Sequence, residues 1–178
     1  MRRYLLCLTV GGLLMAVLAA ACDGGDDGGP GPSATPGQTP LATPGFSFKG
    51  PVGIDLTTFG VFHQQGERVP LNITIAASEP ITLYYRTTQR YDIVVTDPEG
   101  KEVWRWSKDK AFGEVVEQVS LKANEALAFS EAWDERDNDG QPVPPANYNV
   151  TVISVHCDAN LQNCGQLSVT RTIQIRAS

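Results

Sequence analysis

Residues 89–106, QRYDIVVTDPEGKEVWRW, and residues 133–148, WDERDNDGQPVPPANY, decide how this chain folds. In the first, Tyr91–Thr96 is a β-branched and aromatic run, closed by Asp97-Pro98-Glu99-Gly100 and followed by a second such run at Val103–Trp106. Proline presets φ at the second position of a tight turn and glycine supplies a left-handed one, so the stretch predicts a β-hairpin. Residues alternate sides along a strand, which puts Trp104 and Trp106 on one face and Val103 and Arg105 on the other. A ligand or partner platform is one use for such a pair. Core packing is the use that indole burial favours, and it is the one expected here.

The second stretch invites a calcium reading, because Glu135, Asp137, Asp139 and Gly140 fall at alternate places of an EF-type loop. Such a loop closes with a bidentate glutamate at its twelfth place, where Ala146 stands instead. Strand-like rather than helical runs flank it. Asp137–Gly140 is therefore expected to be an acidic, solvated turn.

Outward from these stretches the period remains two rather than 3.6. Val69–Ile75 alternates apolar and polar residues, and Ile81–Tyr85, Glu125–Trp133, Tyr148–Val155 and Leu167–Ile175 are further strand candidates. Turn residues separate them, as at Ser78-Glu79-Pro80 and Asp137–Gly140. Asp109–Val119 fits a helical face through Phe112, Val115, Val116 and Val119, but its β-branched content favours a strand after a turn. Seven or eight strands at this spacing predict an all-β, Ig-like antiparallel β-sandwich over residues 46–178.

The N-terminus carries an export pattern. Arg2 and Arg3 precede an apolar run from Leu5 to Leu18, and Ala19-Ala20-Ala21 supplies the small residues before Cys22. The segment resembles a bacterial lipoprotein signal, with leucine one place earlier than usual. Residues 1–21 are accordingly read as a lipoprotein signal peptide and Cys22 as the lipidated residue. Simple cleavage after Ala21 and a retained anchor are the rival readings. Two or three acyl chains, at about 0.8 kcal/mol per buried methylene, anchor stably where one is marginal. Residues 22–45, rich in Gly, Pro and Thr, have almost no apolar side chains to bury and are expected to form a stalk. Its reach is on the order of 25–30 Å, more where proline extends it. The expected location is the extracytoplasmic face of the cell membrane.

Loss of residues 1–21 removes Arg2 and Arg3 and no acid, taking the formal charge from −6 to −8. An acidic chain without a Lys or Arg cluster lacks the phosphate-neutralising surface that nucleic-acid binding requires. Cys157 and Cys164 flank DANLQN and, outside the cytoplasm, are expected to form a disulfide. Closing so short a loop contributes roughly 2.5 kcal/mol in the chain-entropy description. Zinc is the competing use, with His156 adjacent, but no fourth ligand lies within sequence reach. His63 and His156 are the only histidines, and neither has a partner at catalytic or ligand spacing. Neither an enzyme nor a cofactor is expected.

Gln89-Arg90-Tyr91-Asp92, Gly100, Val103-Trp104-Arg105-Trp106-Ser107, Phe112, Trp133-Asp134, Gly140, Val143 and Tyr148 together resemble the BsuPI domain, named for a bacillus intracellular proteinase inhibitor. The resemblance runs from about Val69 to Ile153. Its Trp-Asp…Gly…Val…Tyr half is also similar to Ig-like modules of flagellar hook-capping proteins and secreted enzymes. The family usually has glycine two residues before the tyrosine. Ala146 stands there in this chain, and Asn147 is expected to take the left-handed conformation that alanine resists.

The resemblance implies a proteinase inhibitor, here displayed as a surface lipoprotein, with an extracellular serine protease as partner. A non-catalytic Ig-like binding or structural module of the cell envelope is the alternative, since fold likeness does not fix function. An inhibitor of the standard kind presents an exposed, rigid, extended loop, so that little entropy is lost on binding. Ser107–Phe112 is one candidate, with Lys108, Asp109 and Lys110 as its partner-binding residues and the lysines suited to a trypsin-like pocket. Asp158–Asn163 is the other.

Overall fold

The computed structural model describes residues 45–178, so the 1–21 signal segment, Cys22 and all but the last residue of the 22–45 linker lie outside the described residues. Alternation organises what is described. Along Val69–Ala77 every odd-numbered residue is buried and every even-numbered one only half-buried, as a two-residue period requires. The full order is β1 (Ser47–Lys49), β2 (Val52–Thr58), β3 (Phe62–Gln64), β4 (Val69–Ala77), β5 (Ile81–Tyr85) and β6 (Tyr91–Thr96). β7 (Glu102–Arg105), β8 (Glu117–Leu121), β9 (Ala126–Trp133), β10 (Asn147–Ser154) and β11 (Leu167–Arg176) follow. No helix occurs among the described residues. The described residues are all-β.

The strands make a four-stranded sheet, β1-β2-β4-β9, a five-stranded sheet, β3-β11-β10-β6-β7, and a separate β5-β8 pair. Ile54 and Leu56 of β2, Leu71 and Ile73 of β4 and Trp133 of β9 share one core with Ile93, Tyr148, Val150 and Ile173 of the five-stranded sheet. Two polar links also join the large sheets. The Tyr91 hydroxyl on β6 donates to Glu131 on β9 at 2.5 Å, and burial together with that carboxylate pushes the phenol pKa up. Arg171 on β11 reaches Asp55 on β2 at 2.8 Å and the Gly45 carbonyl at 2.9 Å, fixing where the chain enters the domain.

The sandwich contains eleven strands rather than seven or eight. The additional ones include β1, β2 and β3, ahead of the first strand expected at Val69. β2 is buried on both sides, so Gly53 and Asp55 stand where polar, exposed residues would have marked alternation. Gly53 lies against the Phe48 ring, and Asp55 is paired with Arg171. The pairing is not wholly antiparallel either, because β3 runs parallel to β11 after crossing between the sheets.

Asp109–Val119 is mostly not strand. Residues 106–109 turn, residues 110–116 carry no regular structure, and β8 begins only at Glu117. Asn147 corrects another expectation. It opens β10 and is absent from the left-handed residues, which are Asn124, Glu135, Leu161 and Asn163 besides six glycines. Strand pairing to Gln174 holds Asn147 extended, so the glycine-to-alanine change at 146 needs no left-handed neighbour. Pro70 is tolerated in β4 because the β2 pairing ends with Thr58 opposite Leu71, leaving no donor requirement on that side.

Candidate protein-binding loops

The connection from β7 to β8 carries Lys108, Asp109 and Lys110. Lys108 N–H donates to the Arg105 carbonyl at 3.2 Å and Lys110 N–H to the Ser107 carbonyl at 3.1 Å, so this part is folded into turns rather than extended. The Lys108 ammonium donates to the Asn138 carbonyl at 2.7 Å and lies 3.7 Å from Asp139. Lys110 sits over the Trp106 ring at 4.4 Å, a cation–π contact. Asp109 is exposed between them. Both lysines are thus occupied within the chain.

Beyond Lys110 the connection is held at successive points. Phe112 packs on Trp106 with ring centroids 5.8 Å apart, Trp106 on Tyr91 at 4.6 Å, and Tyr91 on Phe129 at 4.8 Å, so an aromatic series runs from the loop into the core. Gly113 N–H donates to Thr88 Oγ1 at 2.9 Å, and its carbonyl accepts from Thr88 N–H at 3.0 Å. A β-carbon on residue 113 would sit 3.1 Å from the Thr88 methyl, which is why glycine occupies the place. Glu117 pairs with Arg90. Between Gly113 and Glu117, Val115 and Val116 are 53% and 56% exposed. Trp104 on β7 packs toward Trp133 at 6.4 Å, and Trp104 and Trp106, the latter just past the end of β7, are both half-buried against the core.

Cys157 and Cys164 are joined by a disulfide. The enclosed loop repeats a turn used twice elsewhere. Asp97, Asp137 and Asp158 each accept, on the side chain, the N–H four residues on, from Lys101, Gln141 and Gln162, all at 2.8 Å. Each also exchanges backbone bonds across the same five residues, with a left-handed residue at the fourth place. That place is Gly100 and Gly140 in two turns and Leu161, with φ of 58°, in the third. A left-handed L-residue costs roughly 1–2 kcal/mol, so the disulfide loop holds a strained residue where its counterparts use glycine. The Arg86 guanidinium donates to the Leu161 carbonyl and braces it. Backbone and Asn163 donors hold the Asp158 carboxyl below its ordinary pKa. A shallow groove of about 390 Å³ lies alongside, lined in part by Ile81, Leu83, Tyr84 and His156.

His156 Nδ1 lies 2.7 Å from Ser154 Oγ, a pairing that sequence spacing did not single out. Ser154 is fully buried, so its hydroxyl has no route to a substrate. The acidic turn is also engaged internally. Asp137 accepts from Asp139 N–H at 2.9 Å as well as from Gln141, and no group of three or more His, Cys, Asp or Glu among the described residues is placed to hold a metal ion.

Glu135 is the unusual member of that segment. It is 2% exposed and left-handed, and its Oε2 accepts from Gly66 N–H at 2.6 Å. Burial raises its pKa; the Gly66 bond and nearby His63 offset part of this, and Glu67 adds to it. A carboxyl that binds its proton more tightly folded than unfolded favours the fold at low pH, and loses that contribution as pH rises past the ordinary glutamate range. Glu135→Gln keeps an acceptor for Gly66 and removes the titration. The variant is expected to gain stability relative to the parent between pH 4.5 and pH 7, measured by denaturant unfolding. An unchanged difference across that interval would show that Glu135 is not destabilised by burial.

A family model described as BsuPI, intracellular proteinase inhibitor, matches residues 57–158, over half of the 178-residue chain. The chain belongs to the BsuPI family. Within this BsuPI domain the match takes in all strands from β3 to β10, the Asp97 and Asp137 turns and the whole β7–β8 connection. It ends at Asp158, leaving β11, Cys164 and most of the disulfide loop beyond it.

No match is found among curated proteins. Solved structures similar to the BsuPI chain include the alkylpurine DNA glycosylase AlkC of Pseudomonas fluorescens, bound to DNA with an abasic-site analogue. It is 19% identical with TM-score 0.41, over 71% of this chain and 31% of its own. The sporulation control protein Spo0M of Bacillus subtilis is 14% identical with TM-score 0.44, over 73% and 51%. The CARDB domain of PF1109 from Pyrococcus furiosus, in complex with di-metal ions, is 9% identical with TM-score 0.41, over 70% and 87%. The BsuPI chain thus spans less than a third of AlkC and about half of Spo0M. None of these likenesses bears on its chemistry.

Proposed function

We propose that the chain is a non-catalytic proteinase inhibitor held at the extracytoplasmic face of the cell membrane. Residues 46–178 form the inhibitory domain, residues 22–45 the stalk, and Cys22 carries the lipid after loss of residues 1–21. The observation that carries the inhibitor reading is the BsuPI match over residues 57–158. The export pattern at Arg2, Arg3 and Ala19–Cys22 supports a location different from the intracellular one in the family's description, and an extracellular serine protease is the corresponding partner.

Physical support comes from the β7–β8 connection. It is exposed yet pinned by Trp106, Thr88 and Arg90, so it gives up little freedom when a partner closes on it. The purified chain is expected to slow substrate turnover by at least one member of a panel of trypsin-, elastase- and subtilisin-like proteases. No inhibition across the panel, with the chain recovered intact, would reject the reading. The anchor is tested separately: palmitate label incorporated by the parent should be lost in Cys22→Ser, and label that survives the change would remove the lipid assignment.

A further inference from the structure

We infer that the outer edge of β9 is a dimer interface, where a second copy of this chain adds its own β9 antiparallel and the two four-stranded sheets become one. The inference stands apart from the inhibitor reading.

β9 ends the order β1-β2-β4-β9 and pairs with β4 alone. Ala77 N–H donates to the Glu125 carbonyl at 2.9 Å one step outside that register, so Leu127, Phe129, Glu131 and Trp133 turn their main-chain groups toward β4. Alternation in an antiparallel ladder then turns those of Ala126, Ala128, Ser130 and Ala132 outward. None of these outward N–H and C=O groups has a partner among the described residues. Ala126, Ala128 and Ser130 are exposed and Ala132 is half-buried, and side chains this small leave the main chain within reach. A row of unmet donors and acceptors at strand spacing is matched by another strand.

The other strand edges are short or already met. β1 and β3 are three residues long. At β3, the Glu67 carboxylate accepts from Gln64 N–H at 3.1 Å and Glu67 N–H donates to the Gln64 carbonyl at 3.0 Å. β7 is covered by Asn138, which donates to the Val103 carbonyl at 2.8 Å and accepts from Arg105 N–H at 2.9 Å. Tyr84 of β5 accepts from Cys157 N–H at 2.8 Å, and β8 is five residues long. β9 instead runs eight residues in unbroken register, with no proline, lysine or bulge. Those are devices by which an exposed strand is kept from pairing. Its one charge, Glu131, is held inward by the Tyr91 hydroxyl.

The occupant is a second copy because the edge is self-complementary. A two-fold axis at Phe129 sets Ala126 against Ala132 of the second copy and Ala128 against Ser130 of the second copy, which brings every outward group into register. The facing side chains are alanine and serine, so none is bulky and no like charges meet. Glu131 falls opposite Leu127 of the second copy. In a chain of net charge −6, residues 126–130 form an uncharged strip on which two acidic copies can close. Two-fold pairing uses the same patch on both copies and leaves neither β9 edge open.

Sedimentation equilibrium of the full chain in non-ionic detergent, with amide hydrogen exchange followed by NMR, tests the inference. The parent is expected to be a dimer in which the amides of Ala126, Ala128, Ser130 and Ala132 are protected. Ala128→Lys combined with Ser130→Lys sets like charges against each other across the two-fold axis and should raise the dimer dissociation constant by about 100-fold or more. Ala128→Lys combined with Ser130→Glu sets unlike charges there and should stay within about tenfold of the parent. Both double variants alter exposed positions, and a parental β-sheet spectrum by circular dichroism checks that they fold. A parent that is monomeric up to about 1 mM, with those four amides exchanging freely, would overturn the inference. So would a dimer that the two-lysine variant leaves intact, because it would be built on another surface. Loss of the dimer in both double variants would overturn the two-fold register.

Discussion

Trp133→Ala is expected to destabilise the domain by about 3–5 kcal/mol, the range for deleting a large buried aromatic. Trp133 has no exposed surface and ends β9, where it meets Tyr148 at 5.4 Å between ring centroids and Trp104 at 6.4 Å. Its ring therefore joins the last strand of one sheet to β10 and β7 of the other. The loss is a cavity between the two layers that neither backbone can close, because each is tied into its own ladder. The indole N–H adds a second role, donating to the Arg136 carbonyl at 2.8 Å and setting the chain's course into the acidic turn. Trp133→Phe keeps most of the packing and leaves that carbonyl unpaired, which should cost about 1–3 kcal/mol. Urea unfolding of the three proteins measures both steps. If the alanine variant lost less than about 1 kcal/mol, the ring would not be closing the sandwich.

Arg171→Ala is expected to cost about 2–3 kcal/mol, below the usual value for breaking a buried pair because the guanidinium is partly solvated. Asp55 is 3% exposed, and with Arg171 gone its remaining side-chain partner is the Thr57 hydroxyl at 3.2 Å. The effect is the penalty of a stranded carboxylate rather than the net worth of the pair. Replacing both members, Asp55→Leu with Arg171→Met, should therefore recover much of the loss, as apolar substitutes for buried ion pairs often do. A double variant as unstable as the sum of the singles would mean that the two side chains act independently, despite their 2.8 Å contact.

These two sites also show what was legible in the chain and what was not. β4, β10 and β11 could be read because each alternates buried with more exposed residues, β6 because it is a β-branched and aromatic run, and the Asp97–Gly100 turn because proline and glycine force it. The packing of Trp104 and Trp106 against the core followed from indole size alone. β2 escaped because its second face is covered by residues distant in sequence: Arg171 lies 116 positions from Asp55. No local pattern announces that a glycine and an aspartate are buried. The third aspartate turn was hidden in a similar way, since Leu161 occupies the place that glycine marks in the other two.

The candidate site was harder still. Residue type suggests that Lys108 is free, and only the fold brings the Asn138 carbonyl to it from 30 positions away. Val115 and Val116 read as strand interior by propensity, yet the Gly113–Thr88 contact delays β8 until Glu117 and leaves both valines outside the core. Propensity measures fit to a half-buried pleated surface, and these residues have no such surface to meet. The signal that could have been used was Gly113 itself, between Phe112 and two β-branched residues, since a glycine in such a run often marks a close backbone approach.

The central claim, that this BsuPI domain inhibits a serine proteinase, is tested most directly by titration at enzyme concentrations well above the inhibition constant. A fixed amount of each trypsin-, elastase- and subtilisin-like proteinase would be mixed in turn with increasing amounts of the purified chain, with residual activity and the intact mass of the chain followed together. For at least one enzyme, activity is expected to fall linearly to near zero at one equivalent, with the chain uncut. Undiminished activity of every enzyme at many equivalents, or a chain progressively cleaved as an ordinary substrate, would contradict the claim.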